Sequence, residues 1–190
     1  TVSHELRNPL TSIIGFGQIL RRRQEYLPHA VDSILRQADR LNRLVGDLLD
    51  VARLEAGRLE IRRERCDVID IVRRSAEQAA PLTTRHQIIV DAPECPIYGS
   101  WDRLRIEQVL HYLLSNAVKY SPDGGEVRVT VQAEEHCARV SVRDYGIGLS
   151  QEAMSGLFQR FQRGDQTSSS TPGIGLGLYI SRWIVEAHGG

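Results

Sequence analysis

Between residues 31 and 54 the apolar side chains Val31, Ile34, Ala38, Leu41, Val45, Leu48 and Ala52 recur at alternating steps of three and four, while Asp32, Arg36, Asp39, Arg43, Asp47 and Asp50 fall on other faces. That spacing is a heptad seam, which only an α-helix packed along its length against other helices can bury. The stretch before it, to about Arg22, carries a similar stripe at Leu6, Leu10, Ile13, Gly17 and Leu20. Residues 23–29, Arg-Gln-Glu-Tyr-Leu-Pro-His, can turn the chain between the two, with Pro28 suited to the first turn of a helix. The expected unit is an α helical hairpin. Two helices leave one side of each stripe in water, so a second copy is expected to complete a four-helix bundle as a homodimer.

Gly57, after Leu54-Glu55-Ala56, reads as a helix C-cap and sets the end of the hairpin, giving domains of 1–57 and 58–190. Beyond it the pattern changes to α+β. Strands are expected at 59–63, 88–90, 126–132 and 138–143, and helices at 69–84, 103–120 and 176–187. Residues 164–173 combine Gly, Asp, Ser, Thr and Pro without apolar periodicity and read as a loop in front of a glycine-rich helix start, a placement that suits a lid.

Composition narrows the function classes. Basic and acidic side chains number 24 each, so no chain-wide field favours nucleic acid or an anionic membrane. Cys66, Cys95 and Cys137 are widely spaced, which argues against a zinc site or a disulfide framework and fits a reducing cytoplasm. No apolar run approaches a membrane span, and no signal-peptide pattern is present, so membrane contact within this segment is not expected.

Five places carry residue types suited to chemistry. His4-Glu5 sets a nucleophile beside a carboxylate, and Asn8 follows one helical turn later, about 40° around the helix axis and nearly opposite the apolar stripe. Asn116 and Lys119, also one turn apart, can present an oxygen for a hard cation and an ammonium for phosphate to one space; solvated polar residues at a helix end are the plainer reading. Asp144-Tyr145-Gly146-Ile147-Gly148 follows a strand, where the glycines let backbone pass close to a flat ligand and Asp144 can accept from an amino group; a tight turn with a solvated aspartate is equally consistent. Gly173, Gly175 and Gly177 open the last helix, whose unpaired amides favour phosphate, without Rossmann or P-loop spacing. Residues 157–163 suggest a short amphipathic helix that pins a loop by Phe158 and Phe161, with Arg163 at the lid edge able to reach a phosphate, although solvent is the plainer reading for such an arginine. His29, His86, His111, His136 and His188 lack a neighbouring carboxylate arrangement like that of His4 and read as surface or packing residues.

In this order the motifs resemble the core of a bacterial sensor histidine kinase: Ser3 to Leu10 its H box, Asn116 to Tyr120 its N box, Asp144 to Gly148 its G1 box, Leu157 to Arg163 its F box and Gly173 to Gly177 its G2 box. The resemblance implies a dimerisation and phosphotransfer hairpin followed by a two-layer α+β sandwich of Bergerat (GHKL) type that binds ATP and Mg²⁺. It makes His4 the phosphate acceptor, Glu5 its base and Asn8 the residue that positions water for the reverse reaction. Asn116 would ligate Mg²⁺, Lys119 meet phosphate, Tyr120 flank adenine, Asp144 bind the adenine amine, and Gly173, Gly175 and Gly177 shape the lid hinge and phosphate cradle. The implied partner is a response regulator receiver domain, and the implied setting is the cytoplasmic part of a receptor that can be membrane-bound. Tyr112 departs from the pattern: four residues before Asn116 these kinases usually carry a second asparagine, and the related ATPases a water-activating glutamate. That departure leaves a second reading, a catalytically weakened dimerisation and regulator-docking scaffold. Tyr145 and Gln159 are milder departures, and the family's usual terminal strand pair would follow Gly190, so the second domain is expected to be truncated.

Overall fold

The computed structural model describes residues 2–23, 27–161 and 174–190, the side chains of Arg23 and Leu82 excepted. The chain divides into two compact units, Thr1–Leu59 with Pro172–Leu176, and Glu60–Thr171 with Gly177–Gly190.

In the first unit, α1 (Val2–Arg23) and α2 (Pro28–Glu55) form the hairpin, with Pro28 in the first turn of α2 as its fixed φ favours. Gly57 ends α2 at φ +64°, its N–H donating to Leu54 C=O (3.0 Å) while Arg58 N–H reaches Arg53 C=O (2.8 Å). This paired closure satisfies two carbonyls that the helix end leaves open. The seam buried within one copy is narrower than the sequence stripe. On α2 it runs through Ala30, Leu44 and Val51, with Ile34, Leu41 and Leu48 half-buried. On α1 it runs through Pro9, with Leu6, Ile13, Phe16 and Leu20 half-buried. Leu10 and Gly17 of the expected stripe on α1, and Ala38, Val45 and Ala52 of that on α2, face outward instead. They join Ile14, Leu35 and Leu49, each at least half exposed, in a second apolar seam that the hairpin leaves uncovered. A helix of a four-helix bundle touches two neighbours, so its apolar stripe spans two seams and a hairpin buries only one.

The second unit is a two-layer sandwich. A mixed sheet is ordered β2 (His86–Asp91), β4 (Gly125–Ala133), β5 (Ala138–Arg143), with β2 parallel to β4 and β5 antiparallel to it. Alternate residues of the central strand, Val127, Val129 and Val131, are at most 2% exposed. They pack on Val68, Ile69, Ile71 and Val72 of α3 (Val68–Ala79) and on Leu110, Leu114 and Ala117 of α4 (Arg103–Lys119). Each fully buried valine or isoleucine contributes about 1.5–3 kcal/mol relative to exposure. Asp67 and Asp102 cap α3 and α4 by accepting from Ile69 N–H and Arg105 N–H. Between α3 and α4 the Arg103 guanidinium donates to Asp70 at 2.9 Å, and that hydrogen bond holds the Asp70 carboxyl below its usual range.

Several expectations need correction. Residues 59–63 are not a strand; β1 is Glu64–Asp67, paired antiparallel with a short β3 (Tyr98–Trp101) in a separate two-stranded sheet. The helix expected to reach Thr84 ends at Ala79 and tightens into a 3₁₀ turn over Ala80–Leu82, where Pro81 cannot donate the next helical bond. The short helix near the expected F segment is α5 (Gln151–Gly156), capped by Ser150, while 157–161 is a series of turns. Phe158 and Phe161 are 43% and 50% exposed and so do not pin that segment, and Phe161 sits at φ +61°. α6 (Gly177–Ala187) matches the last expected helix, and the expected loop at 164–173 lies outside the described residues.

Candidate functional site

His4 and Asn8 are both exposed on α1, as their position opposite the seam requires. Asn8 Nδ2 lies 3.3 Å from His4 Nδ1. The Asn8 amide thus engages Nδ1, while Nε2 has no hydrogen-bond partner among the described residues. Glu5 is mostly buried and accepts a charge-assisted hydrogen bond from Arg40 of α2 at 2.8 Å, with side-chain exposures of 13% and 26% for the acid and the arginine. The expected base is therefore also a cross-hairpin tie, a role that sequence distance hides.

In the second unit the last two turns of α4 organise the remaining candidates. Asn116 is half-buried, and its side-chain amide makes no hydrogen bond among the described residues. One turn on, Lys119 Nζ donates to the Tyr120 hydroxyl at 3.1 Å and lies 4.7 Å from that ring's centroid. The turn after β5 docks directly on this helix end: Ile147 N–H donates to the Tyr120 carbonyl at 3.0 Å, and Asp144 Oδ1 accepts from Gly146 N–H at 2.9 Å. A Cβ on Gly146 would collide with the Tyr120 carbonyl and stand 2.7 Å from Ser121 Oγ, so close approach alone requires glycine there. Gly148 adopts φ +69°, which side chains resist.

Tyr112, the departure from the family pattern, has a structural role. Its ring lies under the first residue of α6, where a Cβ on Gly177 would be 2.7 Å from Tyr112 Cδ1, and its hydroxyl accepts from Gln108 Nε2 at 3.2 Å. Asn116, Lys119, Tyr120, Asp144, Gly146 and Gly148 thus gather around one end of α4, while Gly177 packs on Tyr112 earlier in that helix. Gly175, at φ +77°, belongs to the residues grouped with the hairpin unit. Arg163 and Gly173 lie outside the described residues. No sequence signal marks Ser121 or His86, which brace the Asp144 turn: Ser121 Oγ donates to Asp144 Oδ1 at 3.4 Å, and His86 Nε2–H donates to the Ser121 carbonyl at 2.8 Å. Among the described residues no cluster of three or more His, Cys, Asp or Glu could hold a metal, and no helix is long and apolar enough to cross a membrane.

The donor set nevertheless fits a nucleotide with Mg²⁺. One amide oxygen is enough where a cation keeps several waters and leans on substrate phosphates. Asp144 keeps Oδ2 without a donor among the described residues, the requirement for accepting an exocyclic amine.

An exposed histidine on a helical hairpin, followed by an α/β sandwich with a nucleotide-suited helix end, defines the class: a phosphoacceptor module joined to an ATPase-type module. Residues 1–57 match the His Kinase A (phospho-acceptor) domain family, and residues 101–190 match the histidine kinase-, DNA gyrase B- and HSP90-like ATPase family. The chain belongs to the sensor histidine kinases, and its second unit has the GHKL fold. It is 35% identical over 200 residues to the sensor protein GacS of Pseudomonas syringae pv. syringae, an alignment that takes in the whole chain and 22% of GacS. The solved structure of the histidine kinase AdeS of Acinetobacter baumannii superposes with a TM-score of 0.70 at 28% identity, over 97% of this chain and 86% of that one. Full-length ShkA in complex with AMPPNP gives 0.69 at 30% identity, over 100% of this chain and 40% of that one. The chain spans 22% of GacS and 48% of SphS of Synechococcus elongatus, so both of these relatives are at least about twice as long.

Proposed function

We propose that this chain is the kinase core of a longer sensor protein, in which a hairpin of residues 1–57 accepts phosphate on His4 from ATP held by residues 58–190. The observation that carries this reading is the exposed His4 imidazole, with Nδ1 engaged by Asn8 and Nε2 without a partner among the described residues. The Nε2 lone pair attacks the γ-phosphorus, the bond from that phosphorus to the ADP oxygen breaks, ADP leaves, and the imidazole proton passes to Glu5 or to water. For that attack the proton sits on Nδ1, leaving the Nε2 lone pair free. Asp144 and Tyr120 hold adenine, Lys119 and Arg163 meet phosphate, and Gly173, Gly175 and Gly177 form the cradle and lid hinge. Asn116 would hold Mg²⁺ together with waters, and the cation would supply charge neutralisation at the phosphates.

The phosphoryl group then passes to an aspartate of a response regulator receiver domain, and Asn8 orients the water that reverses the modification. The uncovered seam of Leu10, Ile14, Leu35, Val45 and Leu49 supports a homodimer through the hairpin. Free cysteines at 66, 95 and 137 suit a cytoplasmic setting.

The test is γ-labelled ATP with Mg²⁺ added to the full-length protein and to its His4→Gln variant. Acid-labile, base-stable label that disappears in the variant is the expected result. Label that persists removes His4 from the role, and nucleotide binding without any label favours the scaffold reading that Tyr112 raises.

A further inference from the structure

The turn that presents Asp144 rests on a histidine remote from the reacting atoms. His86 opens β2 and pairs in parallel register with Gly125, the first residue of β4. The chain leaving α4 through residues 121–124 therefore passes His86 on its way into β4. His86 Nε2 meets the Ser121 carbonyl at 2.8 Å, and because a carbonyl can only accept, the imidazole proton is on Nε2. Nδ1 accepts from the Thr83 hydroxyl at 2.7 Å, which fixes the ring's orientation and tautomer. The same Ser121 carbonyl accepts Gly124 N–H at 2.9 Å. Ser121 is thus anchored from behind through its carbonyl, and it is 3% exposed.

Toward the site, Ser121 Oγ and Gly146 N–H both donate to Asp144 Oδ1, at 3.4 and 2.9 Å. Two donors on one oxygen set the carboxylate's rotation and leave Oδ2 to the ligand. A carboxylate oxygen fixed in this way accepts from a 6-amino purine and meets the carbonyl of a 6-oxo purine with lone pair against lone pair. Sites built on such a polar demand discriminate more strongly than apolar pockets do.

We propose that His86 and Ser121 are positioning residues for purine selection, acting through Asp144 to reject hypoxanthine and guanine nucleotides. The proposal rests on the reading of Asp144 as the adenine acceptor. The test titrates the full-length protein with non-hydrolysable adenosine and inosine triphosphate analogues by calorimetry. Ser121→Ala and His86→Leu should each lower the adenosine-to-inosine affinity ratio at least fivefold, with inosine affinity held within twofold. Ser121→Thr and His86→Gln, which keep a hydroxyl and an N–H donor, should recover most of the ratio. An equal loss of both affinities, or an unchanged ratio, overturns the proposal. If His86→Leu fails to fold, the Ser121 pair decides by the same criteria. Asp144→Asn separates the two levels. If it leaves selectivity intact, the adenine reading itself is wrong. If it abolishes selectivity while the Ser121 and His86 variants retain it, only this inference fails.

Discussion

Gly146→Ala is the sharpest single-atom probe of the proposed nucleotide site. Gly146 has no positive φ, so alanine suits its backbone; the added Cβ instead meets the Tyr120 carbonyl and stands 2.7 Å from Ser121 Oγ. Relief requires the turn to lift off the end of α4, and overpacking of this kind costs about 1–3 kcal/mol. Lifting also strains the Ile147 N–H bond to Tyr120 C=O, now 3.0 Å, worth a further ~0.5–1.5 kcal/mol. A combined penalty of about 2–4 kcal/mol, expressed in the geometry that presents Asp144, lowers nucleotide affinity roughly 30- to 700-fold at about 1.4 kcal/mol per decade. Gly148→Ala is the control: open space surrounds its Cβ position, and only the φ of +69° penalises it, by about 1–2 kcal/mol. Titration with a fluorescent ATP analogue, alongside thermal melts, reads both variants. An affinity for Gly146→Ala within threefold of wild type, or a loss no larger than that of Gly148→Ala, refutes the claim that the G1 turn docks on α4.

Asn8→Ala should autophosphorylate within twofold of wild type yet dephosphorylate its regulator at least tenfold more slowly in a phosphate-release assay; equal rates would remove the water-positioning role. Leu49→Glu, a residue 53% exposed in one copy, should shift the protein from dimer to monomer in sedimentation velocity, because two copies would bury two unpaired carboxylates. Asp70→Asn tests the tie between α3 and α4. The Arg103 hydrogen bond depresses the Asp70 pKa in the folded state, so its stabilisation is full above the unfolded value near 3.8 and is lost as pH falls through the lower folded value. The stability gap between wild type and variant should therefore be constant above about pH 5 and close in more acidic urea titrations; a gap that persists at the acid end would assign the effect to packing.

The sequence made legible those features whose cause is local or periodic. The hairpin, α4, β4 and β5 follow from heptad or alternating patterns that their own residues carry, and the Gly57 closure from a glycine placed after a helix. β1 and β3 escaped notice because each has four residues and draws its order from the other: Glu64 faces Trp101 and Cys66 faces Gly99 across the pair. Gly99 shows why no pattern could signal it, since its missing Cβ makes room for the Trp101 ring two residues away. The proposed nucleotide site divides in the same way. Asn116, Lys119 and Asp144 stand in recognisable motifs, whereas His86 reaches its place through the β2–β4 register, and Arg40 meets Glu5 only because α1 and α2 fold back on each other.

Tyr112 and Gly177 are best understood as one feature. The phenol ring occupies the space beneath the start of α6 that a Cβ on Gly177 would contest, and Gln108 holds its hydroxyl. A large residue at 112 thus requires none at 177, so Gly177 has a packing role independent of any hinge. The ring fills that space instead of supplying a second amide, which leaves Asn116 as the single amide ligand in the proposed Mg²⁺ site. Replacing Tyr112 by asparagine would first open a cavity under α6, and only then offer an oxygen to the phosphates. Loss of activity in that variant would measure the cavity. Labelling of the unaltered protein with γ-labelled ATP separates kinase from scaffold, because Tyr112 packs under α6 in both.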